Sequence, residues 1–381
     1  MAEQPDRAPP AGPTLDASGE ADLLRLLRRM PKVELHLHLE GSFTPARIAE
    51  LAAAAGEQLP CHPSQIFAMD SLETLLSRLD WWCGLVRSAD DAARQAYDLA
   101  KRLSEDGVAY AEVIVNPTHW RGLPRPVLLE AVSAGFSRAS ASGLCDCWLL
   151  VSLLRHQTAE EAMGLVEEIT EVPPPRLVGL SIDGNEATAG PTGRRFAAAF
   201  ARAGAHGLGL TAHAGESSGP EGVWSALDDL GVSRVDHGIR AVEDRRLLRR
   251  LVADQVTLNV CITSNLTLLY RDLDSHPVRR LVGAGVPVTV NTDDPVPLDI
   301  TLTGEMALAT RHLGWGLKGA IDATQRAVDA SFAAPVVAGR LLRRLDDFRR
   351  EHADPPPGPG AQGLTGGTAP SAKRPAARRH A

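Results

Sequence analysis

Lys32-Val33-Glu34-Leu35-His36-Leu37-His38-Leu39-Glu40-Gly41-Ser42 is the stretch on which the reading of this chain turns. Val33 to His38 has the apolar alternation of a short β-strand, and Glu40-Gly41 is where such a strand gives way to a loop. Side chains alternate between the faces of a strand, so His36 and His38 project from the same face. Two neutral imidazoles that close suit one ion of the zinc kind. An equally ordinary reading is a hydrogen-bonded or solvent-facing pair on an edge strand. The His-x-His spacing by itself leaves both open.

Working outward, eight short apolar or β-branched segments stand between helical patterns: Val33–His38, Val108–Val115, Trp148–Leu153, Leu177–Ile182, Gly209–His213, Arg234–His237, Val256–Val260 and Val286–Asn291. One helix is marked by Ala92, Ala96, Leu99 and Leu103 at helical spacing before Gly107. Another opens at Thr44-Pro45, a cap residue followed by a proline suited to the first turn, and stops at Gly56. A third runs from about Pro277 through Leu281 to Gly285. Strands alternating with helices predict a parallel sheet with helices outside. Eight such units predict the α/β class, as a (β/α)8 TIM-type barrel. The helical stretch from Pro60 to Arg87, with Trp81-Trp82, reads as an insertion after the first strand that forms a lid or wall over the barrel mouth. No strand is followed by Gly-x-Gly-x-x-Gly, so a dinucleotide site has no support.

The 381 residues are 44% hydrophobic and 23% charged, the balance of a globular protein with a sizeable core. A net charge of −7 argues against nucleic acid or an anionic membrane as the main partner. No apolar run approaches the roughly 20 residues of a membrane span, and the Pro- and Ala-rich start lacks the apolar core of a secretion signal. A cytoplasmic location is the expectation. Residues 1–20 read as a flexible lead, 21–350 as the barrel, and 351–381 as a disordered Pro/Gly tail with Lys373, Arg374, Arg378 and Arg379. Cys61, Cys83, Cys145, Cys147 and Cys261 are odd in number and scattered; they read as reduced thiols without a role.

In a barrel of this kind, sites form at the C-terminal ends of the strands. Those ends hold His36 and His38, then Asp183-Gly184-Asn185-Glu186, His213-Ala214-Gly215-Glu216, Asp236-His237-Gly238 and Asn291-Thr292-Asp293-Asp294-Pro295. Three histidines and a carboxylate from separate strand ends can converge on one ion and leave a coordination position open for water.

Taken together, and in this order over residues 30 to 345, these motifs resemble the adenosine deaminase family of metal-dependent amidohydrolases. The resemblance implies a barrel with one zinc ion and hydrolytic removal of the 6-amino group of a purine. Carried over by position, His36, His38, His213 and Asp293 are the implied metal ligands. Zinc activates a water by lowering its pKa to about 7. His237 is implied to orient that water and help take its proton, and Glu216 to protonate N1 of the ring, which asks for a carboxyl pKa raised by a closed pocket. Asp294 is implied to hydrogen-bond N7, the backbone N–H of Gly184 to reach N3, and His38 and Glu40 to touch the substrate.

Four positions depart from the adenosine-specific pattern. Glu40 stands where those members carry Asp against a ribose hydroxyl, as in members that resemble adenine deaminases. Ser181 and Asp183 stand where Asp and Ala are usual, and Ile262 where Pro follows Cys. Adenosine or 2′-deoxyadenosine, going to the inosine product plus ammonia in purine salvage, is the first expectation. Adenine or a modified adenosine such as aminodeoxyfutalosine is the alternative, and a non-purine amide a further one. The expected partner is a small purine, with neither nucleic acid nor membrane involved; oligomeric state is not readable. His156, after the third strand, is read as a wall or structural residue, with a substrate contact as the other reading; His119, after the second, is read in the same way, with pocket lining as its other reading.

Overall fold

The computed structural model describes residues 17–68, 71–190 and 193–352. Its strands are β1 (Lys32–His38), β2 (Val108–Val115), β3 (Asp146–Leu154), β4 (Leu177–Asp183), β5 (Gly209–Leu210), β6 (His213–Ala214), β7 (Arg234–His237), β8 (Thr257–Val260) and β9 (Val288–Val290). All pairings are parallel, β1 through β5 forming one sheet and β6 through β9 another. β5 and β6 are two pieces of the segment expected as one strand, Gly209–His213. The chain changes partner there: Thr211 N–H donates to Leu180 O (3.0 Å), and Ala212 O accepts from Asp236 N–H (2.8 Å). Leu37 and Asp293 bridge the opposite seam, where His38 N–H donates to Asp293 O (2.8 Å) and Asp293 N–H to His36 O (3.1 Å). Eight strand positions therefore close into the expected (β/α)8 ring.

Side chains do much of the work at that second seam. Leu35 N–H donates to Asn291 Oδ1 (2.9 Å), and Glu34 Oε1 accepts from Thr292 N–H (2.9 Å) and Thr292 Oγ1 (2.6 Å). They satisfy backbone groups that a longer ladder would otherwise pair, as buried polar groups require. The strands themselves are covered on both faces. Leu149, Leu150, Val151 and Leu153 of β3 are all fully buried, the mainly apolar run that a parallel sheet between helices produces. Each such side chain contributes about 1.5–3 kcal/mol on burial.

The expected helices are present. Pro45–Ala55 is capped by Thr44, whose side chain accepts from Arg47 N–H, and ends at Gly56 with φ +70°. Ala89–Glu105 carries the apolar stripe through Ala92, Ala96, Leu99 and Leu103. The insertion after β1 holds the helix Leu72–Gly84, whose Leu75, Leu76 and Leu79 reach the barrel mouth. Trp82 anchors it: the ring is fully buried and its Nε1–H donates to Glu40 O (2.9 Å). A helix at Ala17–Arg29 takes up the last residues of the expected lead. Expectations for residues 1–16 and for the tail from 353 onward lie outside the described residues. All five cysteines are free thiols. Among the described residues no helix is long and apolar enough to cross a membrane.

Candidate active site

β1, β6, β7 and the turn after β9 aim their terminal side chains at one point. One donor atom each from His36, His213, His237 and Asp293 lies within 4.8 Å of the others. His38 joins them, its Nε2 3.1 Å from His213 Nε2 and 3.4 Å from Asp293 Oδ1. The alternation of β1 thus delivers both of its histidines to one centre, with ring centroids 5.5 Å apart. That set of four contains His237 and not His38, whereas the sequence reading kept His237 outside the ligands. Five candidate donors thus gather around this point. His237 and Asp293 hold φ of +64° and +67°, a region that costs a non-glycine residue about 1–3 kcal/mol. The surrounding fold imposes those conformations at the two positions where imidazole and carboxylate meet.

The charge around this point calls for a cation. Burial opposes a charge on His36, yet Asp236 and Asp293 together raise its pKa to about 10. Asp236 Oδ1 lies 3.4 Å from His36 Nδ1, and Asp293 Oδ1 3.1 Å from His36 Nε2. Burial and the neighbouring His36 push His213 well below the usual imidazole range, and push His237 down to about 3. Their nitrogens are thereby kept as lone-pair donors. Two neutral imidazoles, a third between carboxylates, and a carboxylate fit a divalent ion of the zinc class. Outside this set, Asp236 is itself held by Asn259 Nδ2 (2.8 Å) and Thr211 Oγ1 (2.9 Å), and Asp293 Oδ2 accepts from Ser264 Oγ (2.6 Å). Asn265 Nδ2 sits 3.2 Å from His237 Nδ1. Such partners fix the orientation of ligand side chains.

A cavity adjoins the cluster. His38, Glu40, Gly184, His213, Glu216, His237, Asp293 and Asp294 all line it, under a cover of Leu75, Leu76, Leu79 and Leu268. His36 lies behind, fully buried. Glu216 Oε1 is 3.4 Å from His237 Nε2. Burial first, then the charges of Asp293 and Glu186, lift the Glu216 carboxyl to about 8, so it holds a proton at neutral pH. Asp294 is raised well above the carboxylate range by burial and by Asp293 and Glu40. Gly184 has φ +98°, which only glycine adopts freely. A Cβ on Gly41 would sit 2.6 Å from the Cα of Asp294 and closer still to its carboxylate. Gly41→Ala is therefore expected to displace Asp294, lowering stability by about 1–3 kcal/mol and activity more than a surface Gly→Ala control does. Melting curves and initial rates on the two variants check this.

Glu40 occupies an unexpected setting. Its Oε1 accepts from Trp120 Nε1–H (2.6 Å) and Asn116 N–H (2.9 Å), whereas Oε2 is shut from solvent with no protein partner. Asp183 also faces the cavity and accepts from Asn116 Nδ2 (2.6 Å). His119 lines the cavity, the second of its two readings; His156 is exposed and does not. Ser181 lies beneath the cluster, 3.4 Å from Asp236 Oδ2, and Ile262 is buried at the start of the helix Ile262–Leu268.

Two residues that sequence reasoning left without a role build the turn after β6. Glu186 receives Gly215 N–H (3.1 Å), Glu216 N–H (2.9 Å), Ser218 N–H (3.3 Å) and Ser218 Oγ (2.8 Å) on one buried carboxylate. Arg155, also fully buried, donates to the carbonyl of His213 and lies 3.9 Å from Glu186. Together they grip the segment that carries both His213 and Glu216. A strand-end Arg next to an exposed His gives no local sequence signal for this.

A barrel whose rim gathers histidines and aspartates around a cation site is the architecture of a metal-dependent amidohydrolase. Residues 31–348 match the family model described as adenosine deaminase, and the chain belongs to that family. An adenine deaminase from Rhodospirillum rubrum is 36% identical over 330 residues, which is 84% of this chain and 97% of that protein. An aminodeoxyfutalosine deaminase from Streptomyces coelicolor is 32% identical over 344 residues, 88% of each. The crystal structure of adenine deaminase from Arthrobacter aurescens superposes with a TM-score of 0.78 at 26% identity, covering 84% of this chain and 99% of the other. An amidohydrolase from Burkholderia ambifaria with bound zinc gives 0.80 at 25% identity, over 90% and 98%. The chain is a deaminase-type hydrolase acting on carbon–nitrogen bonds of cyclic amidines.

Proposed function

We propose that this protein removes the 6-amino group of free adenine, giving hypoxanthine and ammonia, with one zinc ion per chain. The observation that carries the choice of substrate is Glu40 Oε2, a buried carboxyl oxygen with no protein partner on a residue that lines the cavity. Free adenine has an N9–H to offer such an acceptor; adenosine, substituted at N9, has none. An unmet buried acceptor costs about 1–3 kcal/mol, and the ligand that satisfies it is favoured by that much. The adenine deaminases among the relatives support the same choice over adenosine.

His36, His38, His213 and Asp293 are proposed to hold the ion, with His237 next to them. A divalent ion there supplies a Lewis acid that activates a water for attack on C6. His237, neutral by virtue of its burial, is placed to accept the proton of that water. Glu216 carries a proton and delivers it to N1 as the ring accepts the new C–O bond. Asp294, protonated for the same reason of burial among carboxylates, donates to N7. Gly184 leaves backbone room beside N3. The leucines of the lid helix cover the base and keep bulk water from the reacting ring.

A 6-aminopurine carrying a larger group at N9 is the second reading, favoured by the aminodeoxyfutalosine deaminases at comparable identity. Turnover of zinc-loaded protein on adenine, adenosine, 2′-deoxyadenosine and aminodeoxyfutalosine, followed by ultraviolet absorbance, separates them. Adenine is expected to be turned over with kcat/KM at least ~10-fold above adenosine, the worth of one matched hydrogen bond. Preference for a 9-substituted purine would replace the first reading by the second. No turnover of any 6-aminopurine would remove both.

A further inference from the structure

We propose that His119 is a substrate-binding residue that reads the N3–N9 edge of the free base together with Glu40, and that Asp80 is the positioning residue that sets its ring. This rests on free adenine being the substrate. His119 belongs to the short turn Pro117–His119 after β2 and is nearly buried at the cavity wall. Its Nδ1 lies 2.6 Å from Asp80 Oδ1. A carboxylate at that distance takes a hydrogen, so Nδ1 is committed and Nε2 is the ring nitrogen left for a ligand. His119 and Glu40 both line the cavity, and among the described residues neither His119 Nε2 nor Glu40 Oε2 has a protein hydrogen-bond partner. Burial works against a charge on the ring, but Asp80, Asp183 and Glu40 raise its pKa, favouring the imidazolium, the form in which Nε2 also carries a hydrogen. In that form the ring supplies a donor and Glu40 an acceptor, which match the adjacent N3 acceptor and N9–H donor of adenine.

Asp80 gives the contact a second consequence. It lies on the lid helix Leu72–Gly84, whose Leu75, Leu76 and Leu79 cover the cavity, and it also pairs with Arg121 (2.9 Å). Glu73, at the other end of that helix, accepts from Asn185 Nδ2 (2.7 Å) beside Gly184. A base bound at His119 is thus tied through Asp80 to the helix that shuts over it.

The test uses the zinc-loaded full chain and two readouts, steady-state kinetics on adenine and calorimetric binding of hypoxanthine, which keeps the N3–N9 edge but has no amine to lose. His119→Ala is expected to raise KM for adenine and Kd for hypoxanthine by roughly 10-fold or more, with kcat within about threefold and zinc per chain unchanged. His119→Gln, which keeps an N–H near the place of Nε2, is expected to recover part of the loss. Asp80→Asn is expected to move KM in the same direction by less and to leave kcat alone. If wild type turns over adenine and both His119 variants keep its KM and Kd, the assignment of His119 is overturned while the activity stands. If wild type turns over no free base, the functional reading falls, and this inference with it.

Discussion

Glu216→Gln is expected to keep the metal and the fold and to lower kcat by about 10²–10⁴-fold, the usual worth of a positioned proton donor. The substitution is nearly isosteric, and the backbone of residue 216 stays gripped by Glu186 through its N–H at 2.9 Å. What changes is the carboxyl proton. Burial and the charges of Asp293 and Glu186 hold that proton on Glu216 up to about pH 8, far above an ordinary glutamate. An amide in the same place offers an N–H that it cannot give up. The sign follows for wild type as well: the donor is present below its pKa, so the rate falls as pH rises through it. A cation among the neighbouring histidines favours the carboxylate and brings that fall to lower pH. Metal analysis, kcat and pH–rate profiles on wild type and variant check these points. A variant running within a few-fold of wild type, with full metal, removes Glu216 as the donor.

The chemistry of this site was legible in the sequence because barrel topology concentrates it at strand ends, which are easy to find. His36, His38, His213, His237 and Asp293 lie at or next to the ends of apolar segments, and the structure brings all five to one centre. The strand positions were legible for a related reason, since parallel strands under helices are rich in apolar and β-branched residues. Less legible was the broken fifth strand. Gly209 to His213 reads as one apolar run, but the change of partner at Thr211–Ala212 depends on where β4 and β7 end, which no local pattern encodes. The supporting polar groups were the hardest to foresee. Glu186 sits after a strand end and looked like a turn residue; its four hydrogen bonds go to a segment about 30 residues on. Arg155 and Asp236 act through contacts of the same long range. Glu40 was singled out for its extra methylene, but the tryptophan and backbone N–H that hold one of its oxygens are 80 and 76 residues away. Such contacts shape the wall of the cavity, and they arise only once the chain is folded.

His213→Ala is expected to empty the cation site, and its effect should exceed that of removing any group that merely supports it. His213 is the histidine most firmly prepared as a ligand. Its Nδ1 lies 3.1 Å from the carbonyl of Ile182, which takes the hydrogen of that nitrogen and turns Nε2 to the centre. Its backbone carbonyl is fixed by Arg155, so the truncation leaves the turn in place and removes only the imidazole. Loss of the ion removes its stabilisation of the transition state, several kcal/mol, so kcat/KM should fall by roughly 10³-fold or more. Asp236→Asn makes the informative comparison. Asp236 touches His36 and His213 rather than the centre, at 3.4 and 3.8 Å, so its loss should weaken metal affinity by about 10–100-fold. That variant should recover activity when excess zinc is added, whereas His213→Ala should not. Thermal melts give a reading independent of turnover. An ion at 100 times its Kd adds about 2.7 kcal/mol to the folded state, so wild type should melt markedly higher with zinc than after chelation. Asp236→Asn should show that gap only at raised zinc, and His213→Ala should not show it at all. Stoichiometric zinc in purified His213→Ala, with a wild-type melting gap, would take His213 out of the ligand set and leave the place to His38 and His237.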